Sequence, residues 1–256
     1  MADGRLIKAA KVISAVGAVN TYERLIPKVY ADLIKVPLEA LKDLKWSSYA
    51  VLQVFMGLEG TSEELGLSTA GHWFLPENTN HSDNSVAYFL DSTFTVPFPY
   101  VHISFPSAKD PTAEKSTAVI FAAAHYEWFR NMKPEDVKAV ADEIVTRMTA
   151  KLYEAYPHLK DKVKFVELAT PLAHEFHLGA ARGAPLGLGH TPNRFEQADS
   201  WLRPQTPIRN LILAGQDVFT CSVPGAATGG FMGAAAAFPK EVMEKFRDIF
   251  APPGKA

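Results

Sequence analysis

Cys221 is the only cysteine among 256 residues. That excludes an intrachain disulfide framework and fits a reducing, intracellular compartment. Charge is nearly balanced, at a net −2, so no global field recruits nucleic acid or an anionic membrane. No apolar run reaches the roughly 18 residues that cross a bilayer. The longest candidate, Val223 to Phe238, is mostly Gly and Ala. Membrane-surface association stays open. The polar start lacks an apolar h-region and predicts no signal peptide; Arg5, Lys8 and Lys11 fit a strand better than a transit peptide. Neither a P-loop nor a G-x-S-x-G elbow is present, which argues against an NTPase or a hydrolase. A G-x-G-x-x-G fingerprint is missing too, since Gly187-Leu188-Gly189 runs into His190, Thr191 and Pro192.

What is present is a large apolar fraction, 47% of the residues, enough for one or two buried cores. Leu6 to Ala15 reads as a strand, and Asn20 or Thr21 caps a short helix that stops before Pro27. Val36 to Leu44 suggests a further helix. Strand-like segments follow at Tyr49–Leu58, His72–Leu75, Tyr100–Phe105 and Ser116–Tyr126, β-branched and aromatic, with Gly, Pro and Asn or Asp between them. They predict an antiparallel sheet, with a helix at Asp83–Leu90. Pro134 to Tyr156 repeats Val137, Val140, Ala141, Ile144, Met148 and Leu152 with helical period, behind Pro134, Glu135 and Asp136 in the first turn. Lys162 to Leu168 reads as a strand that returns to the C-terminal elements. Pro239 opens a last amphipathic helix, and Ala251 to Ala256 reads as a frayed tail.

The most informative stretch is Asn210 to Gly233, NLILAGQDVFTCSVPGAATGGFMG. A buried strand ends at Gly215, Asp217 follows, and Pro224-Gly225 opens a helix of small residues. A helix start offers free N–H groups and about half a positive charge, which suits an anion or an electron-rich ring. Asp217 either accepts hydrogen bonds from a ligand's hydroxyls or caps a turn. Gly225 and Ala226 either present backbone N–H to a ligand or serve tight packing through Gly225, Gly229 and Gly233; both can hold together. His174 and His177 flank Glu175 but lack the H-E-x-x-H spacing and a third ligand, so no metal site is expected. Cys221 is read as a small buried thiol rather than a redox centre.

Together with Thr170-Pro171-Leu172, His177-Leu178-Gly179, Arg182-Gly183-Ala184, His190-Thr191-Pro192 and Pro204 to Leu211, this stretch resembles the C-terminal flavin-binding motif of the phytoene desaturase-like FAD oxidoreductases. Within them it is most similar to the retinol saturase (all-trans-retinol 13,14-reductase) branch. The resemblance implies an α/β (α+β) fold: a partial FAD-binding, Rossmann-like domain from residues 1–24 and 161–256, lacking its N-terminal βαβ unit, plus an inserted mixed-sheet substrate domain over 25–160. It implies FAD as cofactor, with Gly215, Asp217, Gly225 and Ala226 on the cofactor side and Arg182 and Gly183 on the substrate side. The implied reaction is redox chemistry at a conjugated double bond of a lipophilic polyene such as a retinoid or carotenoid, and no catalytic acid or base is singled out. Trp46, Tyr49, Phe55, Trp73, Phe74, Phe94, Phe98, Tyr126, Trp128 and Phe129 are candidates for an apolar tunnel, or for ordinary core. A complementing N-terminal half or self-association is the expected partner. The alternative is a non-catalytic remnant that binds an apolar ligand or a partner chain.

Overall fold

The computed structural model describes residues 4–46, 50–77, 80–91, 95–196 and 202–250. Along the chain it forms β1 (Val12–Ser14), α1 (Lys35–Trp46), β2 (Ala50–Leu58), β3 (His72–Phe74), α2 (His81–Leu90), β4 (Val101–Ser104), β5 (Ser116–Ala124) and α3 (Tyr126–Arg130). Then come α4 (Pro134–Ala155), β6 (Val163–Ala169), α5 (Pro171–Leu178), α6 (Pro192–Glu196), β7 (Leu211–Leu213), α7 (Ser222–Ala237) and α8 (Pro239–Phe250). Two units emerge, one from Met1–Ser48, Gly179–Ala181 and Leu186–Ala256, the other from Tyr49–Leu178 and Arg182–Pro185. The fold is α/β, a parallel strand pair in the first unit and an antiparallel sheet in the second.

The antiparallel sheet runs in the order β3-β4-β5-β2-β6. Period-two alternation along β2 sends Leu52, Val54, Met56 and Leu58 to one face, where Ile103 and Ile120 join them in the core. Helix α4 closes that face with Ile144, Met148 and Leu152, all fully buried and four residues apart. Burying each such side chain contributes about 1.5–3 kcal/mol. Pro134 and the carboxylates of Glu135 and Asp136 favour the start of α4. Asn80 caps α2, its side chain accepting from the Ser82 and Asp83 amides.

In the other unit β1 and β7 pair in parallel, Ile13 beside Ile212. Its core gathers Ala18, Tyr22, Ile34, Leu41, Leu44, Leu188, Leu213 and Val218. Burial raises the Tyr22 phenol to about 12.

Several expectations shift. The boundaries fall near residues 48 and 178, not 24 and 160: α1 supplies Leu41 and Leu44 to the core of the parallel pair, and the 163–169 strand pairs with β2. That strand therefore completes the antiparallel sheet rather than returning to the C-terminal elements. The sheet over 50–169 is antiparallel throughout, not mixed. The first strand shrinks from Leu6–Ala15 to Val12–Ser14, because only there does β7 offer a ladder. Phe98 and Phe129 are buried in the core, with Phe74 and Trp128 packed against it, leaving Phe55 and Trp73 as exposed members of the aromatic set. Tyr49, Phe94, the Trp46 side chain and 251–256 lie outside the described residues. Among the described residues, no helix is long and apolar enough to cross a membrane.

Candidate functional site

The strand exit after β7 is built around a carboxylate and a guanidinium. Asp217 is 5% exposed. Its two oxygens accept the Ala18 amide at 2.7 Å and the Leu188 amide at 2.9 Å. A Cβ at Gly187 would stand 2.1 Å from the same carboxylate, so glycine there is what lets the backbone come this close. Arg194, on α6, is 1% exposed. It donates to the carbonyls of Leu188 at 2.8 Å and Gln216 at 2.8 Å, and more weakly to those of Asp217 and Phe219. Burial lowers the Arg194 pKa, and the charge of Asp217 acts the other way. The polypeptide around 187–188 is thus stapled to the 216–219 turn from both sides, by an acceptor and by a donor.

This turn leads into α7. Cys221 precedes the helix and offers no side-chain cap; its own N–H donates to His190 Nε2 at 3.0 Å. That bond needs an unprotonated Nε2, and burial followed by the charge of Arg194 lowers the His190 pKa accordingly. The buried face of α7 is the row Gly225, Gly229, Gly233 and Ala237. A Cβ at Gly225 would meet the Thr220 carbonyl oxygen at 1.9 Å, and one at Gly229 the Gly215 carbonyl oxygen at 1.9 Å. The helix therefore lies directly on the backbone that leaves β7. Ser222, Val223, Pro224 and Ala226 are exposed, which leaves the first-turn amides at an open, positively polarised tip.

Gly215, Asp217, Gly225 and Ala226 therefore sit together, with unequal exposure. Gly225 faces inward and Asp217 is spent on backbone amides, while Ala226 faces out. Arg194 escaped sequence reading, and His190 entered it only as part of the His190-Thr191-Pro192 resemblance. An arginine in Thr191-Pro192-Asn193-Arg194-Phe195-Glu196 reads as a solvated helix residue, and nothing local announces the carbonyls that converge on it.

Arg182 and Gly183 belong to the other unit. Arg182 holds a left-handed backbone (φ 56°), and Gly183 lies against the backbone of Pro171. The Arg182 guanidinium pairs with Glu127 at 2.7 Å and lies over the Tyr126 ring, 5.1 Å from its centroid. Tyr126 donates to Glu175 at 2.5 Å, a bond that, with burial, raises the phenol pKa. Glu175 is thereby committed to Tyr126, while His174 is buried and His177 exposed. Among the described residues, no three His, Cys, Asp or Glu side chains gather as a metal ion requires.

The antiparallel sheet has a second face, turned away from its core. Register places Trp73 opposite His102, His102 opposite Phe121, and Phe121 opposite Gln53. In the neighbouring rows Phe55 sits beside Val119, and the Phe165 ring covers Gly57. Trp73 packs against His102 at 4.6 Å and Phe121 at 5.6 Å between ring centroids, yet is 59% exposed. His102 keeps a lowered pKa, first through burial. Five adjoining strands thus share an aromatic, half-wet surface.

No family model matches the chain. It is 32% identical over 240 residues to the all-trans-retinol 13,14-reductase of Danio rerio, covering 87% of this chain and 39% of that protein. The human all-trans-retinol 13,14-reductase is 29% identical over 260 residues, 93% of this chain and 41% of that one. A Danio rerio protein named inactive all-trans-retinol 13,14-reductase is 31% identical over 246 residues, 90% of this chain and 40% of its own length. An oxidoreductase of Methanosarcina mazei aligns in structure at a TM-score of 0.48 and 16% identity, over 94% of this chain and 44% of that one. The chain spans about two-fifths of the length of the curated relatives it matches. Over most of its own length, it is a homologue of the all-trans-retinol 13,14-reductases, as a C-terminal half of such a protein would be.

Proposed function

We propose that the chain is the substrate-bearing part of a FAD-dependent oxidoreductase that acts on a conjugated double bond of a retinoid-like polyene. The observation that carries this reading is the open aromatic face of the antiparallel sheet, in a chain homologous to retinol reductases. Trp73, Phe121 and Phe55 offer a flat apolar bed, and dispersion over a long conjugated chain needs nothing more specific. Burial lowers the pKa of His102 in that row, which disfavours a charge that a bound apolar molecule would have to desolvate.

FAD fits the exposed tip of α7, where the free amides of Ser222 and Val223 would face its electron-rich ring edge, while Gly225 and Ala226, whose amides bond within the helix, form the turn behind them. A flavin held there would supply the hydride chemistry of such a reaction. Gly215 and Asp217 hold that tip in place: the inward carboxylate fixes the 187–188 and 17–18 backbone, and the Gly215 carbonyl seats Gly229. Arg182, already paired with Glu127, positions Tyr126 and Glu175, and Gly183 permits the close turn on Pro171.

The test is a titration with all-trans-retinol followed by Trp73 fluorescence. Saturable quenching is expected, and Trp73→Leu should remove most of it. With reduced FAD present, the retinoid band should move to shorter wavelength as conjugation is lost. Quenching without any spectral change would instead favour a non-catalytic apolar-ligand protein, the reading that the relative named inactive supports. No quenching at all defeats both.

A further inference from the structure

The aromatic face of the antiparallel sheet has two unlike ends. Trp73 shares a row with His102, Phe121 and Gln53. On β2, Phe55 stands two residues beyond Gln53 and Gly57 two beyond that, opposite Thr117 on one side and Phe165 on the other. Strand alternation keeps these positions on one side of the sheet. The Phe165 ring rests on Gly57, where a Cβ would stand 2.2 Å from it. Strand spacing and rise put that ring about 20 Å from Trp73, with Phe55 and Val119 between them. Beside Phe165 the sheet opens into a groove of about 510 Å³, lined on the sheet side by Gly57, Thr117 and Phe165. The Thr117 amide donates to Ser107 Oγ at 3.0 Å, while its own hydroxyl bonds no described residue. Glu59, Glu64, Glu114, Lys115 and Lys164 edge the groove. Lys164 pairs with Glu59 at 2.7 Å, and Glu64 accepts the Thr61 amide at 2.9 Å. These bonds hold both carboxyls below the usual carboxylate value. Carboxylates therefore outnumber ammonium groups at this end. At the other end Trp73 packs among Tyr100, His102 and Phe121.

We propose that this groove is the subsite for the polar end of the polyene, that it takes an alcohol rather than a carboxylate, and that the ligand's apolar end lies at Trp73. The proposal rests on the reading above that the aromatic face carries a retinoid-like substrate. Dispersion along the face is much the same whichever way the chain lies, so the two ends set its direction. A hydroxyl laid at the Trp73 end is desolvated among rings. The polar ring there, His102, has its Nδ1 buried and its Nε2 packed against Gly71, and so serves a ligand hydroxyl poorly. At the Phe165 end the same hydroxyl meets Thr117 Oγ1, which can donate or accept, and carboxylates that accept. A ligand carboxylate gains less, because it brings a further negative charge to a rim where that sign already prevails.

The experiment titrates the purified chain with all-trans-retinol, all-trans-retinoic acid and the hydrocarbon analogue that lacks the hydroxyl, reading affinity from quenching of Trp73. At neutral pH the alcohol is expected to bind about fivefold more tightly than the acid. Thr117→Val keeps the side chain's shape and suits a strand; it should weaken retinol about threefold to tenfold and leave the hydrocarbon unchanged. Glu114→Lys, on the exposed rim, should narrow or reverse the preference for alcohol over acid. Direction is read by NMR with retinol isotope-labelled at its hydroxymethyl carbon. Nuclear Overhauser contacts should join the hydroxymethyl protons to the Thr117 methyl, and the methyls of the ligand ring to the Trp73 indole. The proposal is overturned if the hydroxymethyl protons contact the indole instead, if the acid binds more tightly, or if Glu114→Lys leaves the preference unchanged. Equal weakening of retinol and hydrocarbon by Thr117→Val overturns it as well. Each of those results leaves the aromatic bed standing as a polyene site. Absence of quenching by all three ligands defeats the bed itself, and the subsite with it.

Discussion

Two ionic side chains decide the architecture of the strand exit, and they do it through backbone groups. Leu188 is gripped twice, its amide by Asp217 and its carbonyl by Arg194. Replacing Arg194 with Met leaves the Leu188 and Gln216 carbonyls without charge-assisted donors, at a cost on the order of 3 kcal/mol. Arg194→Lys should recover only part of that, because a single ammonium cannot span carbonyls spread over 188 and 216–219; urea midpoints of the three proteins check both statements. A second residue-scale prediction concerns His174, 5% exposed and with Nε2 unpartnered among the described residues. Burial lowers its pKa from 6.5, so the unfolded chain takes up a proton there before the folded one does. Its contribution is complete above 6.5 and is lost as pH falls through the folded value. His174→Phe should therefore flatten the fall of stability as pH drops below 6.5, while at pH 7.5 it stays within about 1 kcal/mol of the parent. An equally steep acid slope in the variant would assign the sensitivity elsewhere, His102, His125 and His190 being the other histidines whose pKa burial lowers. Neither role was legible in the sequence. Burial of a polar side chain depends on carbonyls and apolar walls brought together from distant segments, and no local pattern encodes that.

Elements were far more legible, because their signals are local. The α4 periodicity, the strand–turn spacing of 50–124 and the small-residue run of α7 each carry their own geometry. What stayed hidden was pairing: the 163–169 segment reads as a strand in isolation, but its neighbour β2 lies a hundred residues earlier in the chain. Helix α7 lets the balance between propensity and packing be measured. Alanine is favoured over glycine inside a helix by about 1 kcal/mol, so Gly230→Ala, whose Cβ would meet nothing within 4 Å, should stabilise by up to that amount. Gly229→Ala gains the same propensity but drives its Cβ to 1.9 Å from the Gly215 carbonyl. Backbone cannot swing aside as a side chain can, and a net loss of about 1–3 kcal/mol is expected. Opposite signs from adjacent glycines, read from denaturant midpoints, would show that the stripe exists for close approach. Equal effects would mean that α7 is less tightly seated on the strand exit.

At the scale of the whole chain, two separate cores predict two separate unfolding events. The unit of the antiparallel sheet buries Leu52, Ile103, Ile120, Ile144 and Met148 with many companions. The unit of the parallel pair has a smaller core and leaves Leu6, Ile7 and Val16 in water. Its stability leans instead on polar staples and glycine packing, terms that are individually modest. It should melt first. Calorimetry is then expected to give a van't Hoff enthalpy clearly below the calorimetric one, the mark of a non-two-state transition. Arg194→Met and Gly229→Ala should lower only the first event, and His174→Phe should alter the pH response only of the second, since each residue lies within one unit. The mutations make the assignment strict, because a single cooperative core would move as one whichever residue was changed. Coincident transitions, shifted equally by all three substitutions, would show that the two cores unfold as one.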